Sequence, residues 1–221
     1  MSTRKSFSDD LSRLRQDILS MATRVEENIG KALTALRTCN AELAKEVRAD
    51  DAQIDMLQLK IEDDAAFIIA TQQPVARDLR EMVTIFKLTS NIERVGDHAS
   101  HLARAARKLS KKGDSPFRAQ MHLEKMAEIG QMMLRSAIAA FLAHDADAAR
   151  TAAALDRQID GEHESLTDDI IKVIKKNPSL VKSGLQILHT SNQLERLGDH
   201  ITNICEAVVY MIEGKHEELN E

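Results

Sequence analysis

The sequence predicts an all-α protein built from two tandem three-helix bundles related by internal duplication, and three observations predict it. The first is composition. Of 221 residues, 43% are hydrophobic, 29% charged and 3% aromatic. Ala, Leu, Ile, Met, Glu, Lys and Arg favour helix, and no β-branched run bounded by turn residues reads as a strand. The second is repetition. Thr34 to Asp55 aligns with Ala139 to Asp160 at a shift of 105, with eight of 22 positions identical and both ending in DxQID. ERVGDH at Glu93 to His98 returns as ERLGDH at Glu195 to His200, a shift of 102, and Pro74 returns as Pro178 between them. Three landmarks in one order and at nearly one spacing mark a duplication. The third is periodicity. Ile85, Leu88, Ile92, Val95, Ala99, Leu102, Ala106 and Leu109 alternate by three and four residues. So do their counterparts Ile187, Thr190, Leu194, Leu197, Ile201, Ile204, Val208 and Met211. That alternation is the apolar seam of a bundle.

The elements follow in order. A long amphipathic helix is expected from about Phe7 to Thr38, with Asn40 capping the next one. The second helix runs to about Thr71, and Pro74 opens the third in its first turn, to about Lys112. Gly, Asp, Ser and Pro meet in Lys111 to Pro116, which reads as the linker and divides the chain into repeats 1–112 and 113–221. The second copy repeats the plan: a helix to about Ala143, a cap at Asp145, one helix to Lys176, then Asn177-Pro178. The last helix ends near Gly214, a residue suited to a C-cap.

Charge and composition exclude several classes. The net charge of −5 argues against broad nucleic-acid binding, and no aromatic-basic platform is present. The basic run from Arg104 to Lys112 reads as a solvated helix C-terminus, where cations suit the dipole. Cys39 and Cys205 form no CxxC pair and suggest no disulfide framework. The N-terminal stretch lacks an apolar signal core, and no segment approaches a membrane span, so a cytoplasmic protein with no membrane insertion is expected.

Carboxylates carry the candidate chemistry. Glu93 and Asp97 are four residues apart and share one helix face, well away from the seam. Asp51, Asp55 and Glu62 share a face on the preceding helix. The second copy offers Asp156 and Asp160 on its middle helix, and Glu195 and Asp199 on its last. One such pair is an ordinary solvated face balanced by Arg94 or Arg196. Four pairs at duplicated positions imply convergence, and clustered ionised carboxylates call for a compensating cation. Divalent or trivalent ions such as Mg, Mn and Fe accept oxygen sites of this kind. Gly96 and Gly198 sit inside the motifs, where each weakens a helix by about 1 kcal/mol, so they are expected to serve close packing or room beside the metal. His101 and His163 are adjacent to the acids but read as surface residues. His98 and His200 read as hydrogen-bonded and partly buried.

These residues also carry a family resemblance. QQPVARDLR (Gln72 to Arg80), NIERVGDHASHLARAA (Asn91 to Ala106) and NQLERLGDHITNICEAVVYMIEGK (Asn192 to Lys215) resemble the signature regions of PhoU proteins. The resemblance extends over nearly the whole chain. It implies two three-helix bundles with pseudo-twofold symmetry, no enzymatic activity, and surface E(D)xxxD motifs that bind metal clusters. Those motifs fall on Glu93/Asp97, Glu195/Asp199, Asp51/Asp55 and Asp156/Asp160, for Fe, Zn, Mn or Mg. It further implies negative regulation of phosphate uptake and starvation signalling, as a homodimer whose partners are a phosphate ABC transporter ATPase subunit and a sensor histidine kinase. His101 and Asn40 depart from the family's usual Asn and Asp. Three other readings remain: a ferritin-like di-metal oxidase, which wants ExxH motifs that are missing here, metal-assisted phosphate hydrolysis, which needs a pocket and a nucleophile that the sequence does not display, and a metal-free helical interaction module.

Overall fold

Among the described residues, the computed structural model has seven helices and one 3₁₀ turn. It describes residues 2–38, 40–109 and 119–220, with side chains for 7–38, 40–105 and 119–220. The expected linker at Lys111 to Pro116, the repeat boundary at 112/113, and Cys39 lie outside the described residues. So do the side chains of Ala106 and Leu109.

The first repeat holds α1 (Ser2–Thr38), α2 (Ala41–Gln72) and α3 (Arg77–Leu109). Asn40 caps α2 as expected, its side chain accepting from the backbone N–H groups of Glu42 and Leu43. Pro74 does not open α3. Gln73 ends α2 in the left-handed region (φ 47°) and Ala76 follows suit (φ 50°), so Pro74 lies in the connecting turn and α3 starts at Arg77. Pro74 disfavours the right-handed helical region for the residue before it, which ends α2 there.

The second repeat holds α4 (Ala119–Ala143), α5 (Ala146–Ala153), α6 (Asp156–Lys176), a 3₁₀ turn (Pro178–Leu180) and α7 (Val181–Glu213). Asp145 caps α5 through the Ala148 N–H, and Gly214 closes α7 at φ 72°. The single helix expected from Asp145 to Lys176 is broken at Ala154–Leu155. No glycine or proline announces the break. The N–H groups of the two break residues turn back to α5 carbonyls (Ala154 to Arg150, Leu155 to Ala152), and α6 restarts with an acidic residue, favourable at a helix N-terminus.

Helix α2 packs on α1 and α3, α6 packs on α4 and α7, and the repeats join along α3–α7 and α1–α4. The seam residues from Ile85 to Leu102 are completely buried, and their α7 counterparts are at most 3% exposed. Polar bonds cross between the repeats. Gln131 donates to the Glu26 carbonyl (3.0 Å), and Arg15 holds both Glu81 (2.7 Å) and His144 (3.1 Å).

At the centre of α3–α7 lies a reciprocal network. Gln193 Oε1 is bonded to His98 Nδ1 (3.0 Å) and His101 Nδ1 (2.6 Å). Asn91 Oδ1 is bonded to His200 Nδ1 (3.0 Å) and accepts from Asn203 (3.4 Å). Asn91 and Gln193 are duplicates at the shift of 102, as are His98 and His200, so each repeat's amide serves the other repeat's histidine. The two rings stack at 5.4 Å, and burial pushes His98 down to about 4. The hydrogen-bonded, partly buried role expected of these histidines is the observed one.

Candidate functional site

The two acidic stripes of each repeat meet where α2 faces α3 and where α6 faces α7. In the first repeat, burial and then the charges of Asp97 and Asp55 raise the affinity of Asp51 for its proton. Glu93 is raised by burial, then by Asp97, and further by Asp55 and Asp51. These mutual effects place Asp51, Asp55, Glu93 and Asp97 in one electrostatic group. Arg94 tempers it from outside, at 3.2 Å from Asp97 and 3.6 Å from Glu93. The Ser100 hydroxyl opposes the shift on Asp51, although it is buried without a well-formed hydrogen bond. Glu62 extends this face by two turns beyond Asp55, where Gln58 (2.8 Å) and Thr89 (3.4 Å) donate to it.

The second repeat gathers Asp156, Asp160, Glu195 and Asp199 around a cleft of about 200 Å³, which Leu219 and Asn220 of the C-terminal segment also line. Asp156 is only 7% exposed, so the expected surface position does not hold for it. The helix break turns it inward at the first position of α6. Burial, followed by the charges of Asp160 and Asp199, pushes its carboxyl up to about 7. Thr202 donates to its Oδ2 (3.3 Å), and its buried Oδ1 has no partner. Burial also raises Glu195 and Asp160, and Asp199 adds to both shifts.

The glycines have distinct roles. A Cβ at Gly198 would run into Asp156 Oδ1, whereas one at Gly96 would meet Ile54 Cδ1 at 3.3 Å and Val25 Cγ2 at 3.4 Å. Gly198 therefore leaves room for a carboxylate, and Gly96 permits close packing of apolar side chains. Two residues escaped sequence reasoning, the hydroxyls of Ser100 and Thr202, which act on Asp51 and Asp156. Both stand three residues after an acid of the GDH motif and are duplicates at the shift of 102, a signal that was available. His163 binds Ser191 Oγ through Nδ1 (2.8 Å), and its charge bears on Asp160 and Glu195. Cys205 is a buried free thiol pushed up to about 12.

The donor set suits a hard, oxygen-seeking cation: carboxylates that raise one another, with an orphaned buried oxygen on Asp156. Among the described residues, no group of three or more His, Cys, Asp or Glu side chains is placed so that it could hold a metal ion. The acids flank the apolar seam and do not line it.

The family model for the PhoU domain matches residues 18–106 and 123–208, one match in each repeat. The chain is 35% identical over 217 residues to the phosphate-specific transport system accessory protein PhoU homolog of Streptococcus pneumoniae, covering 98% of this chain and 100% of that protein. The homolog of Pseudomonas putida is 33% identical over 210 residues, covering 95% of this chain and 82% of that protein. Among solved structures, PhoU from Pseudomonas aeruginosa superposes with a TM-score of 0.89 at 33% identity, covering 95% of this chain and 100% of that one. The phosphate transport system regulatory protein PhoU from Streptococcus pneumoniae gives 0.88 at 33% identity, covering 96% and 99%. With both repeats matched and the all-α fold shared over nearly its whole length, the chain belongs to the PhoU family.

Proposed function

We propose that this protein is a non-enzymatic accessory protein of phosphate transport that restrains uptake and keeps the phosphate-starvation response off when phosphate is ample. The observation that carries this reading is the match, over nearly the full chain, to proteins named for accessory and regulatory roles in phosphate transport. Among the described residues no helix is long and apolar enough to cross a membrane. Contact with a transporter would then run through the protein's surfaces. The partners are a phosphate ABC transporter ATPase subunit and a sensor histidine kinase, met in the cytoplasm by a homodimer.

Metal ions belong to the same reading. Asp51, Asp55, Glu93 and Asp97 would hold one set, and Asp156, Asp160, Glu195 and Asp199 the other, with Glu62 adjoining the first. Bound Fe, Zn, Mn or Mg would supply positive charge, neutralising the repulsion among the acids and reversing the sign of two surface patches. Such a reversal changes electrostatic fit to a partner. The carboxylates orient that charge, and Thr202 and Gly198 keep Asp156 in place.

A starvation-gene reporter in a deletion strain tests the regulatory role. The deletion should switch the reporter on in high phosphate, and the wild-type gene should silence it again. A reporter that stays silent in the deletion strain refutes negative regulation. Elemental analysis of chelator-stripped, reloaded protein tests the metal. Glu93→Ala with Asp97→Ala should lower the stoichiometry and leave the second set occupied. Glu195→Ala with Asp199→Ala should weaken restraint in cells. Full restraint with less metal would move the signalling surface elsewhere.

A further inference from the structure

A second cleft, of about 120 Å³, lies between the C-terminal half of α3 and the N-terminal half of α7, lined by His101, Arg104, Gln186, His189, Thr190 and Gln193. Among the described residues, its lining has cationic, imidazole and amide groups and no carboxylate. The sequence around it is equally one-sided. Residues 98–105 and 170–194 contain no Asp or Glu but carry five Lys and Arg, in a chain of net charge −5.

Packing does not demand this cleft, as its pseudo-twofold counterpart shows. At the shift of 102, His189 corresponds to Lys87 and Arg104 to Glu206. There the protein uses the polar groups itself. Lys87 lies over the Tyr210 ring (5.2 Å), and Glu206 accepts from the Leu219 N–H (2.9 Å). Arg104, by contrast, is exposed and has no ion pair among the described residues. Gln193 Oε1 is taken by His98 and His101, so the group it has left to offer is its amide donor. Thr190 donates to the Gln186 carbonyl (3.0 Å) and contributes wall only.

We propose that the α3–α7 cleft binds a small tetrahedral oxyanion of the phosphate type, gripped by the Arg104 guanidinium through two parallel N–H bonds, with His189 and the Gln193 amide as further donors. The ligand is either a free oxyanion or the phosphoryl group of a phosphorylated side chain entering through the mouth. The cleft's donors and charge carry this inference, and it stands apart from the acidic groups and from the regulatory role.

The test uses the full chain stripped of metal, so that anion binding through a bound cation plays no part. Inorganic phosphate, sulfate and O-phosphoserine are titrated separately, followed by calorimetry and by backbone amide shifts. Saturable binding of at least one is expected, with shifts centred on residues 101–104 and 186–193. Arg104→Gln and His189→Gln should each weaken it by about tenfold, the worth of one charge-assisted hydrogen bond. Lys87→Gln, at the counterpart position, should leave it unchanged. Both cleft side chains are exposed, so the variants should melt like wild type. Phosphate and sulfate without O-phosphoserine identify a free anion, and O-phosphoserine as well identifies an open phosphoryl site; both outcomes support the cleft. No saturable binding of any of the three overturns the proposal, and so does binding that Arg104→Gln leaves intact.

Discussion

Asp51 and Asp156 are the same residue of a duplicated motif, yet they occupy different physical worlds. Asp51 lies within the unbroken helix α2, partly exposed, beside the Ser100 hydroxyl. Asp156 follows a two-residue break, is buried beneath Gly198, and keeps one oxygen without a partner. The neighbouring acids are equivalent in both, so spacing does not separate the two sites. Backbone path does. A short interruption turned one carboxylate from a surface group into a buried group that titrates near neutral pH. Motif identity tells which atoms are available, and burial decides what each costs to ionise.

The comparison ends at the cores, where the repeats should behave alike. Leu102 and Ile204 are duplicates and both are completely buried. Aspartate at either position places an uncompensated charge in the core, at a cost of several kcal/mol against a total stability of roughly 5–15 kcal/mol. Because α3 and α7 pack on each other, each substitution should abolish a single cooperative melt of the whole chain, followed by circular dichroism. Loss of only half the helical signal would show that the repeats fold independently.

Titration should expose the difference. In metal-free protein the folded-state pKa of Asp156 stands at about 7, above its ordinary 3.8. Between those values the folded chain keeps a proton that the unfolded chain has released. Stability therefore falls as pH rises from about 4 to about 7, by a few kcal/mol, and levels off above that. Asp156→Asn should flatten this slope and raise the melting temperature at alkaline pH. Asp51→Asn should act in the same direction but less, since Asp51 is raised while remaining partly exposed. Gly198→Ala should dislodge the Asp156 carboxylate and erase the slope as well, whereas Gly96→Ala should spare it. Equal slopes for the Asp51 and Asp156 variants would put the two sites back on one footing.

Most of the fold was legible in the sequence because duplication and the three-four alternation report burial directly. Asn40, Asp145 and Gly214 announced their caps through local chemistry. The turn at Pro74 was misplaced because a proline marks a boundary without saying on which side the next helix starts. The break before Asp156 left no glycine or proline to read, and the Thr202 hydroxyl and Gly198 hollow that receive the carboxylate lie across the bundle on α7. The acids were legible as a pattern, but the burial of one of them was not. The pairing of His98 with Gln193 and of His200 with Asn91 was hidden for the same reason. The duplicate positions were visible, but their meeting depends on how the two repeats dock.

That docking network offers the finest distinction between the repeats. Gln193 is 8% exposed and serves two histidines, one of which, His98, is 7% exposed. Gln193→Leu removes the acceptor and leaves a buried ring nitrogen with nothing to bond, a loss of about 1–3 kcal/mol. Asn91 makes the corresponding contacts from a partly exposed position, to a His200 that is itself partly exposed. Water can replace the amide there, so Asn91→Leu should cost less than about 1 kcal/mol. Denaturant unfolding at neutral pH, where burial keeps His98 uncharged, measures both values. The α7 amide should prove the stronger tie between repeats. A larger loss from Asn91→Leu would reverse the assignment, and equal losses would mean that the pseudo-twofold symmetry of the network extends to its energetics.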